Sequence, residues 1–234
     1  MILLNNHGIL QSAPAVPAEN FLAVGAFTNY GRYSTRYMAS LNLDGSLNTS
    51  FDAGTSFNNI GTANFAAKNV VEDSSGNFYV LGSFVSYKGT TANNIIKLFP
   101  DGSVDTSFNT GTGFGAVAVN CMAIDSAGKL YVGGAFTTYQ GATNNRIIKL
   151  NTDGTKDTSF DNTTGFDTGL VYGLYIDAAG KIYAGGSFVN YKAGGALDSY
   201  CAGMVKLNTD GSRDYSFSPT VAGFSGLVDS IIAL

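Results

Sequence analysis

Residues 130–139 read LYVGGAFTTY, and the same string returns three more times, as FLAVGAFTNY at 21–30, FYVLGSFVSY at 78–87 and IYAGGSFVNY at 182–191. The copies start 57, 52 and 52 residues apart. Self-similarity at such a period marks an array of one supersecondary unit whose apolar face is buried only by its neighbours. A second marker follows each copy: LNLDGSLNTSF (41–51), LFPDGSVDTSF (98–108), LNTDGTKDTSF (150–160) and LNTDGSRDYSF (207–217). A third precedes the last three copies: VVEDSSGN (70–77), MAIDSAGK (122–129) and LYIDAAGK (174–181).

Each unit therefore reads as four short strands. Strand a is an apolar segment such as CMAID (121–125), b is KLYVGGAF (129–136), c is RIIKLN (146–151) and d is KDTSF (156–160). The a–b joints are D-x-x-G and the c–d joints D-G, sequences that accept the positive φ of a tight hairpin turn. No stretch has the period of an amphipathic helix. Four antiparallel strands repeated around an axis make the blade of a β-propeller, an arrangement that leaves only short edges. Gly25, Gly82, Gly134 and Gly186 share one place in strand b. Glycine inside a strand marks a close approach of other backbone, here expected from the neighbouring blade.

The expected fold is all-β: a four-bladed β-propeller of four-stranded antiparallel blades over residues 21–234, with copies beginning near 21, 78, 130 and 182, preceded by an amino-terminal arm at 1–20. The first copy has no strand a of its own, and the chain finishes on SIIAL (230–234), a strand a without b, c or d. The reading is that this strand closes the ring by pairing with residues 21–27. Each buried Ile or Leu would contribute about 1.5–3 kcal/mol before entropic offsets, so removing the last five residues is expected to be severely destabilising.

The strings LNTDGTKDTSF (150–160) and YIDAAGKIYAGGSF (175–188) resemble the bacterial delta-sixty repeat, a β-propeller family of unassigned function whose units carry a D-G-S-x-D-x-S-F signature. IDSAGKLYVGG (124–134) is also similar to the inner hairpin of NHL-type blades. The resemblance covers residues 21–234 and implies a propeller, with no catalytic residues to carry over. Asn48 departs from the signature Asp, and four blades is a small ring.

Composition narrows the function. Charged residues are 13% of the chain and the net charge is −4, which gives no electrostatic footprint for nucleic acid. No apolar run approaches the roughly 20 residues that span a bilayer, so membrane insertion is not expected. The first residues, MILLNNHGIL, lack the basic start of an export signal. The only histidine is His7, so no Ser-His-Asp, Cys-His or zinc constellation is expected in the ring, and no cofactor is implied. Cys121 and Cys201 occupy non-equivalent places and fix no redox compartment. NTGTGFGA (109–116) looks like a phosphate loop but runs into a strand rather than a helix.

Strand alternation puts the a–b and c–d joints on one face and the b–c and d–a joints on the other. The second set varies between copies, which singles out one variable face. At matching positions before the inner strands stand Lys68, Asn120, Tyr172 and Asp229, four polar residues expected at the channel mouth as a candidate binding site. Arg32, Tyr33 and Arg36, with Asp198 and Tyr200 of the longest b–c loop, form a second candidate patch, since Tyr and Arg are favoured at binding hot spots. The recurrent pairs Asp101/Asp105, Asp153/Asp157 and Asp210/Asp214 read as turn residues bonded to nearby amides. Tyr30, Tyr87, Tyr139 and Tyr191 are expected between blades, with satisfied hydroxyls.

The function expected from these features is a non-enzymatic interaction or structural module that presents a variable face to a protein or glycan partner. A phage virion part, such as a tail or fibre component docked through residues 1–20, is one setting, and a secreted bacterial surface-binding protein is another. A virion or extracellular surface is the favoured location. The competing reading is a glycan-cleaving propeller using two face carboxylates such as Asp198 and Asp229.

Overall fold

The computed structural model describes residues 2–4, 10–11, 20–51, 57–59, 67–115, 117–161, 165–191, 201, 203–217, 224 and 226–232. The chain divides into two compact units, Met1–Gly113 and Phe114–Leu234, and every described element is a strand.

In the first unit, β1 (Ile2–Leu4), β2 (Leu10–Gln11), β3 (Asn20–Val24) and β6 (Met38–Asn42) form one sheet in the order β2-β1-β3-β6. The excursion between β3 and β6 carries a small hairpin, β4 (Asn29–Tyr30) and β5 (Tyr33–Ser34). β7 (Phe57–Asn59) pairs antiparallel with β10 (Phe84–Tyr87), whose other edge takes β11 (Thr90–Thr91). β8 (Asn69–Glu72), β9 (Phe78–Leu81) and β12 (Ile95–Leu98) make a three-stranded meander. The core gathers Leu22, Met38, Phe57, Val80, Phe84, Tyr87 and Leu98.

The second unit repeats the meander twice: β13 (Val119–Ile124), β14 (Leu130–Gly134) and β17 (Ile147–Leu150), then β18 (Val171–Ile176), β19 (Ile182–Gly186) and β20 (Met204–Leu207). Between β14 and β17 lies the hairpin β15 (Thr138–Tyr139) and β16 (Ala142–Thr143). Its core holds Tyr131, Ile147, Phe166, Val171, Phe188, Tyr191 and Leu207.

These meanders are strands a, b and c of the repeat. The a–b turns place Gly76, Gly128 and Gly180 at φ +83, +76 and +75, and the c–d turns place Gly45, Gly102, Gly154 and Gly211 at +83, +82, +87 and +88. Both sets thus adopt the left-handed backbone their sequences require.

Strand d departs from expectation. It is reduced to one bridge per repeat, Leu41–Leu47, Leu98–Val104, Leu150–Lys156 and Leu207–Arg213. The reason is the second motif Asp. Asp157 Oδ1 accepts from the Ser159 amide at 2.9 Å and its carbonyl takes the Phe160 amide, so the chain curls into a turn instead of extending. Asp105 and Asp214 do the same with Ser107 and Ser216.

The expected closure is not seen among the described residues. The edge of β3 facing away from β6 is occupied by β1, in parallel, with Ile2, Leu3 and Leu4 opposite Phe21, Leu22 and Ala23. The three a strands β8, β13 and β18 instead meet their b strands antiparallel. Residues 227–232 form no strand and lie along the fourth copy. There the Val228 amide donates to the Gly186 carbonyl at 3.3 Å, and Val228 and Ile231 stand over Gly185.

The strand-b glycines have a different neighbour from the one expected. A Cβ on Gly134 would lie 2.5 Å from the Ala118 carbonyl, and one on Gly186 would lie 2.0 Å from the Leu170 carbonyl, both at the start of the same copy's strand a. At this level the a–b register slips by a residue, between Val119 and Cys121 and between Val171 and Gly173, as at a β-bulge. The contact with the following copy belongs to the preceding glycines. Gly133 faces Val171, and Gly185 faces Val228.

Candidate functional site

The residue just before strand c has a left-handed backbone in all four copies: Tyr37 (φ 74), Asn94 (72), Arg146 (68) and Gly203 (80). Its carbonyl accepts from the amide of the strand-b glycine, Gly25, Gly82, Gly134 or Gly186, at 2.8–3.0 Å. This kink sends the b–c excursion off the blade. Arg146 uses it to span onward, donating from Nε to the Gly169 carbonyl at 2.8 Å and from Nη1 to the Phe166 carbonyl at 2.7 Å.

The excursion then returns to its own repeat. Tyr30, Tyr87, Tyr139 and Tyr191 donate their hydroxyls to the carbonyls of Gly45, Gly102, Gly154 and Gly211 in the c–d turn. The hydroxyls are satisfied as expected, but inside one copy. The b–c and c–d joints therefore meet, and they do not sort onto two opposite faces as strand alternation alone implied.

Three of these tyrosines sit in a trio of rings. Phe57 packs on Phe84 and Tyr87 with centroids 4.5 and 4.8 Å away, Phe114 on Phe136 and Tyr139 at 4.7 and 4.8 Å, and Phe166 on Phe188 and Tyr191 at 4.1 and 4.9 Å. Tyr87, Tyr139 and Tyr191 are consequently sealed, while Tyr30 is 38% exposed.

A charged cluster recurs beside them. In the second copy the Lys97 ammonium stands 3.1 Å from Asp105 and 3.8 Å from Asp73, and 5.3 Å above the Tyr79 ring, which meets Phe108 edge-on. Lys149 repeats this with Asp157, Asp125 and Tyr131, and Lys206 with Asp214 and Tyr183. Lys129 and Lys181 add a second cation to Asp157 and Asp214. Burial opposes ionisation of Asp157, but the Lys129 ammonium and the Ser159 hydroxyl outweigh it and hold the carboxyl well below the usual range. Asp214 is brought down to about 2, first by its Ser216 hydrogen bonds and then by Lys181.

These lysines escaped the sequence reading. The signal was a Lys in strand c with an Asp eight residues on, both replaced together in the first copy by Ser40 and Asn48. There Asn48 Nδ2 donates to Ser40 Oγ at 3.2 Å, and Leu22 stands where the later copies have tyrosine. The first motif aspartates, Asp101, Asp153 and Asp210, accept from the amide and hydroxyl of Ser103, Thr155 and Ser212, which lowers each carboxyl.

Of the four proposed channel-mouth residues, Lys68 lies in the first unit. It is half-buried, its amide bonds the Leu81 carbonyl at 2.7 Å, and burial pulls its ammonium below the usual value. In the second unit Asn120 donates from Nδ2 to the Val171 carbonyl at 3.1 Å, which ties β13 to β18 beside Tyr172. Asp229 is exposed next to Val228.

Of the loop patch, Arg32, Tyr33 and Arg36 are exposed together on and beside the β4–β5 hairpin. The Arg32 guanidinium lies 5.3 Å over the Tyr33 ring and donates to its hydroxyl at 3.3 Å. Asp198 and Tyr200 fall outside the described residues. The hairpin tips differ between copies. Lys88–Gly89 and Gln140–Gly141 both have positive φ at each residue, the type I′ pattern. In the first copy only Gly31 does (φ 56), the type II′ pattern, which leaves the second tip position open to Arg32. Across from the clasp tyrosine, Tyr33 takes the place that Thr90 and Ala142 hold in the other copies.

Cys121 and Cys201 are separate buried thiols, and burial pushes that of Cys121 up. Among the described residues, no group of three or more His, Cys, Asp or Glu could hold a metal ion, and no helix is long and apolar enough to cross a membrane.

No curated protein sequence matches the chain. Among solved structures, the chain is similar to a protein of unknown function from Bacteroides caccae, with 13% identity and a TM-score of 0.45 over 91% of this chain and 78% of that one. It is also similar to PorZ, a surface component of the type-IX secretion system of Porphyromonas gingivalis, with 14% identity and a TM-score of 0.44 over 95% of this chain and 34% of PorZ, about a third of that protein's length. The family model for the β-propeller domain of unknown function DUF5122 matches residues 22–51, 74–108, 128–160 and 180–217, one segment per repeat, and the chain belongs to that family.

Proposed function

We propose that the chain is a non-enzymatic recognition module of the β-propeller family that binds a glycan through Arg32, Tyr33 and Arg36. One observation carries the recognition reading. The same hairpin position holds Thr90 and Ala142 in two other copies, but in the first it holds Tyr33, 42% exposed and lying beneath the Arg32 guanidinium. An exposed aromatic ring offers a flat apolar platform to the CH face of a sugar, and a guanidinium beside it offers fixed donors for hydroxyl or carboxylate oxygens.

The non-enzymatic part rests on the carboxylates. Asp105, Asp157 and Asp214 are held ionised by lysines and turn amides, and a group held that way is a poor proton donor near neutral pH.

The experiment is binding of the purified chain to an array of immobilised neutral and acidic oligosaccharides, compared with Tyr33→Ala and Arg32→Gln. Binding that falls at least about tenfold in both variants, the loss of one or two hot-spot contacts, supports the reading. Binding unchanged by both substitutions, or no binding to any sugar, overturns it.

A further inference from the structure

The fourth copy carries another pairing of ring and guanidinium, built from a different joint. Its c–d turn leads from the Leu207–Arg213 bridge into the curl at Asp214, whose Oδ1 accepts from the Ser216 amide at 3.0 Å and whose carbonyl takes the Phe217 amide at 3.3 Å. Ser216 also donates its hydroxyl to Asp214, and Phe217 meets the Tyr183 ring edge-on with centroids 5.6 Å apart. Tyr215 stands at the crest of this curl. It is 67% exposed, the most open large apolar side chain among the described residues.

The curl does not need that ring, because Thr49, Thr106 and Thr158 hold the same crest in the other copies, all of them exposed. Arg213 differs together with it. The bridge position holds Leu47, Val104 and Lys156 elsewhere. Arg213 is only 7% exposed, and its guanidinium lies 5.3 Å from the Tyr215 ring centroid. A cation over one face of a tyrosine attracts and holds the ring, so the buried arginine braces Tyr215 from one side while the rest of the ring stays in solvent.

We infer that Tyr215 is a second sugar platform, carried by the unit Phe114–Leu234, which takes the CH face of a neutral sugar. A braced tyrosine suits this role, since an amphipathic ring with few torsions to freeze gives contact area at low entropic cost. Its selectivity differs from that of the patch on the first unit. Arg32 is exposed and presents donors beside its ring, whereas Arg213 is buried with its charge turned to the ring itself. A carboxylate on the sugar therefore gains nothing at Tyr215. This rests on the reading of the chain as a sugar-recognition module, but on none of Arg32, Tyr33 and Arg36.

The test is the array of immobilised neutral and acidic oligosaccharides, probed with Tyr215→Thr, the residue that the other three copies hold there, alone and combined with Tyr33→Ala. Tyr33→Ala should keep a residual binding confined to neutral sugars, and adding Tyr215→Thr should lower it at least about tenfold further. Tyr215→Thr alone should leave binding to acidic sugars unchanged. No residual binding in Tyr33→Ala overturns the inference, as does residual binding that survives the added Tyr215→Thr or a loss of acidic-sugar binding in Tyr215→Thr alone. An unchanged thermal midpoint shows that Tyr215→Thr is folded. Should the midpoint fall, Tyr215→Phe takes its place with the opposite expectation, because it keeps the ring: neutral-sugar binding retained supports the platform, and binding lost overturns it. If Tyr33→Ala and Arg32→Gln change nothing while Tyr215→Thr removes neutral-sugar binding, the first-unit patch fails and this platform stands; the reverse result removes Tyr215 and leaves the patch.

Discussion

Two glycines of the same tight-turn chain can have opposite reasons for being glycine. Gly186 has an ordinary φ, but a Cβ there would sit 2.0 Å from the Leu170 carbonyl, backbone that cannot move aside without breaking the a–b register. Gly141 has open space around it and a φ of +79. Gly186→Ala should thus cost about 1–3 kcal/mol or more as overpacking, and Gly141→Ala only roughly 1–2 kcal/mol of left-handed strain. Urea midpoints of the two variants check the order, and a smaller loss for Gly186→Ala would contradict the close approach of Leu170. At this scale the sequence was a good guide to place and a poorer one to cause. Four glycines in register flagged crowding, but whether the crowding came from the next copy or from the bulge beside Val119 depends on a one-residue slip that no residue type announces.

At the scale of the element, strands a, b and c and the seven glycine turns arise from short apolar runs bounded by D-x-x-G and D-G. Strand d does not, because KDTSF carries both an extended pattern and an Asx turn, and the hydrogen bonds of Asp157 to Ser159 decide for the turn. The charged clusters were hidden for another reason. A single lysine on a strand looks solvated, and only the joint change to Ser40 and Asn48 in the first copy shows that Lys97, Lys149 and Lys206 have partners. That joint change predicts coupling. Asn48→Asp alone should destabilise, by about 1 kcal/mol, because it half-buries a carboxylate without a cation. Adding Ser40→Lys should recover at least half of the loss, a coupling within the usual range of about 0.5–3 kcal/mol for neighbours. A thermal-denaturation double-mutant cycle measures it, and strict additivity would show that the two positions do not interact.

For the whole molecule, the clusters make acid the natural denaturant. Asp105, Asp157 and Asp214 have folded-state pKa values depressed below the ordinary 3.8, Asp214 to about 2. A depressed carboxylate lends stability above its unfolded pKa and withdraws it as pH falls toward the folded value. The melting temperature should therefore be flat from pH 7 to roughly pH 5 and fall steeply between there and pH 2. The unit Phe114–Leu234 holds two clusters and Met1–Gly113 one, so amides of the second unit should lose hydrogen-exchange protection first. Asp157→Asn, costing roughly 1.5–3 kcal/mol at neutral pH as a lost hydrogen bond to a charged group, should flatten the acid limb. An unchanged acid limb in that variant would show that Asp157 is no source of the acid sensitivity.

The tyrosine-to-carbonyl clasps have a consequence for how such a gene can change length. Every clasp starts and finishes within one copy, Tyr139 with Gly154 and Tyr191 with Gly211, and the strand-to-strand handover inward is a valine over a glycine, Val171 on Gly133. A cassette spliced in near residue 161 would bring its own clasp and need to offer its predecessor a valine over the strand-b glycine and the carbonyls that Asn120 and Arg146 reach, those of Val171, Phe166 and Gly169. Unequal crossing-over between copies would then yield a foldable protein far more often than recombination at a random codon.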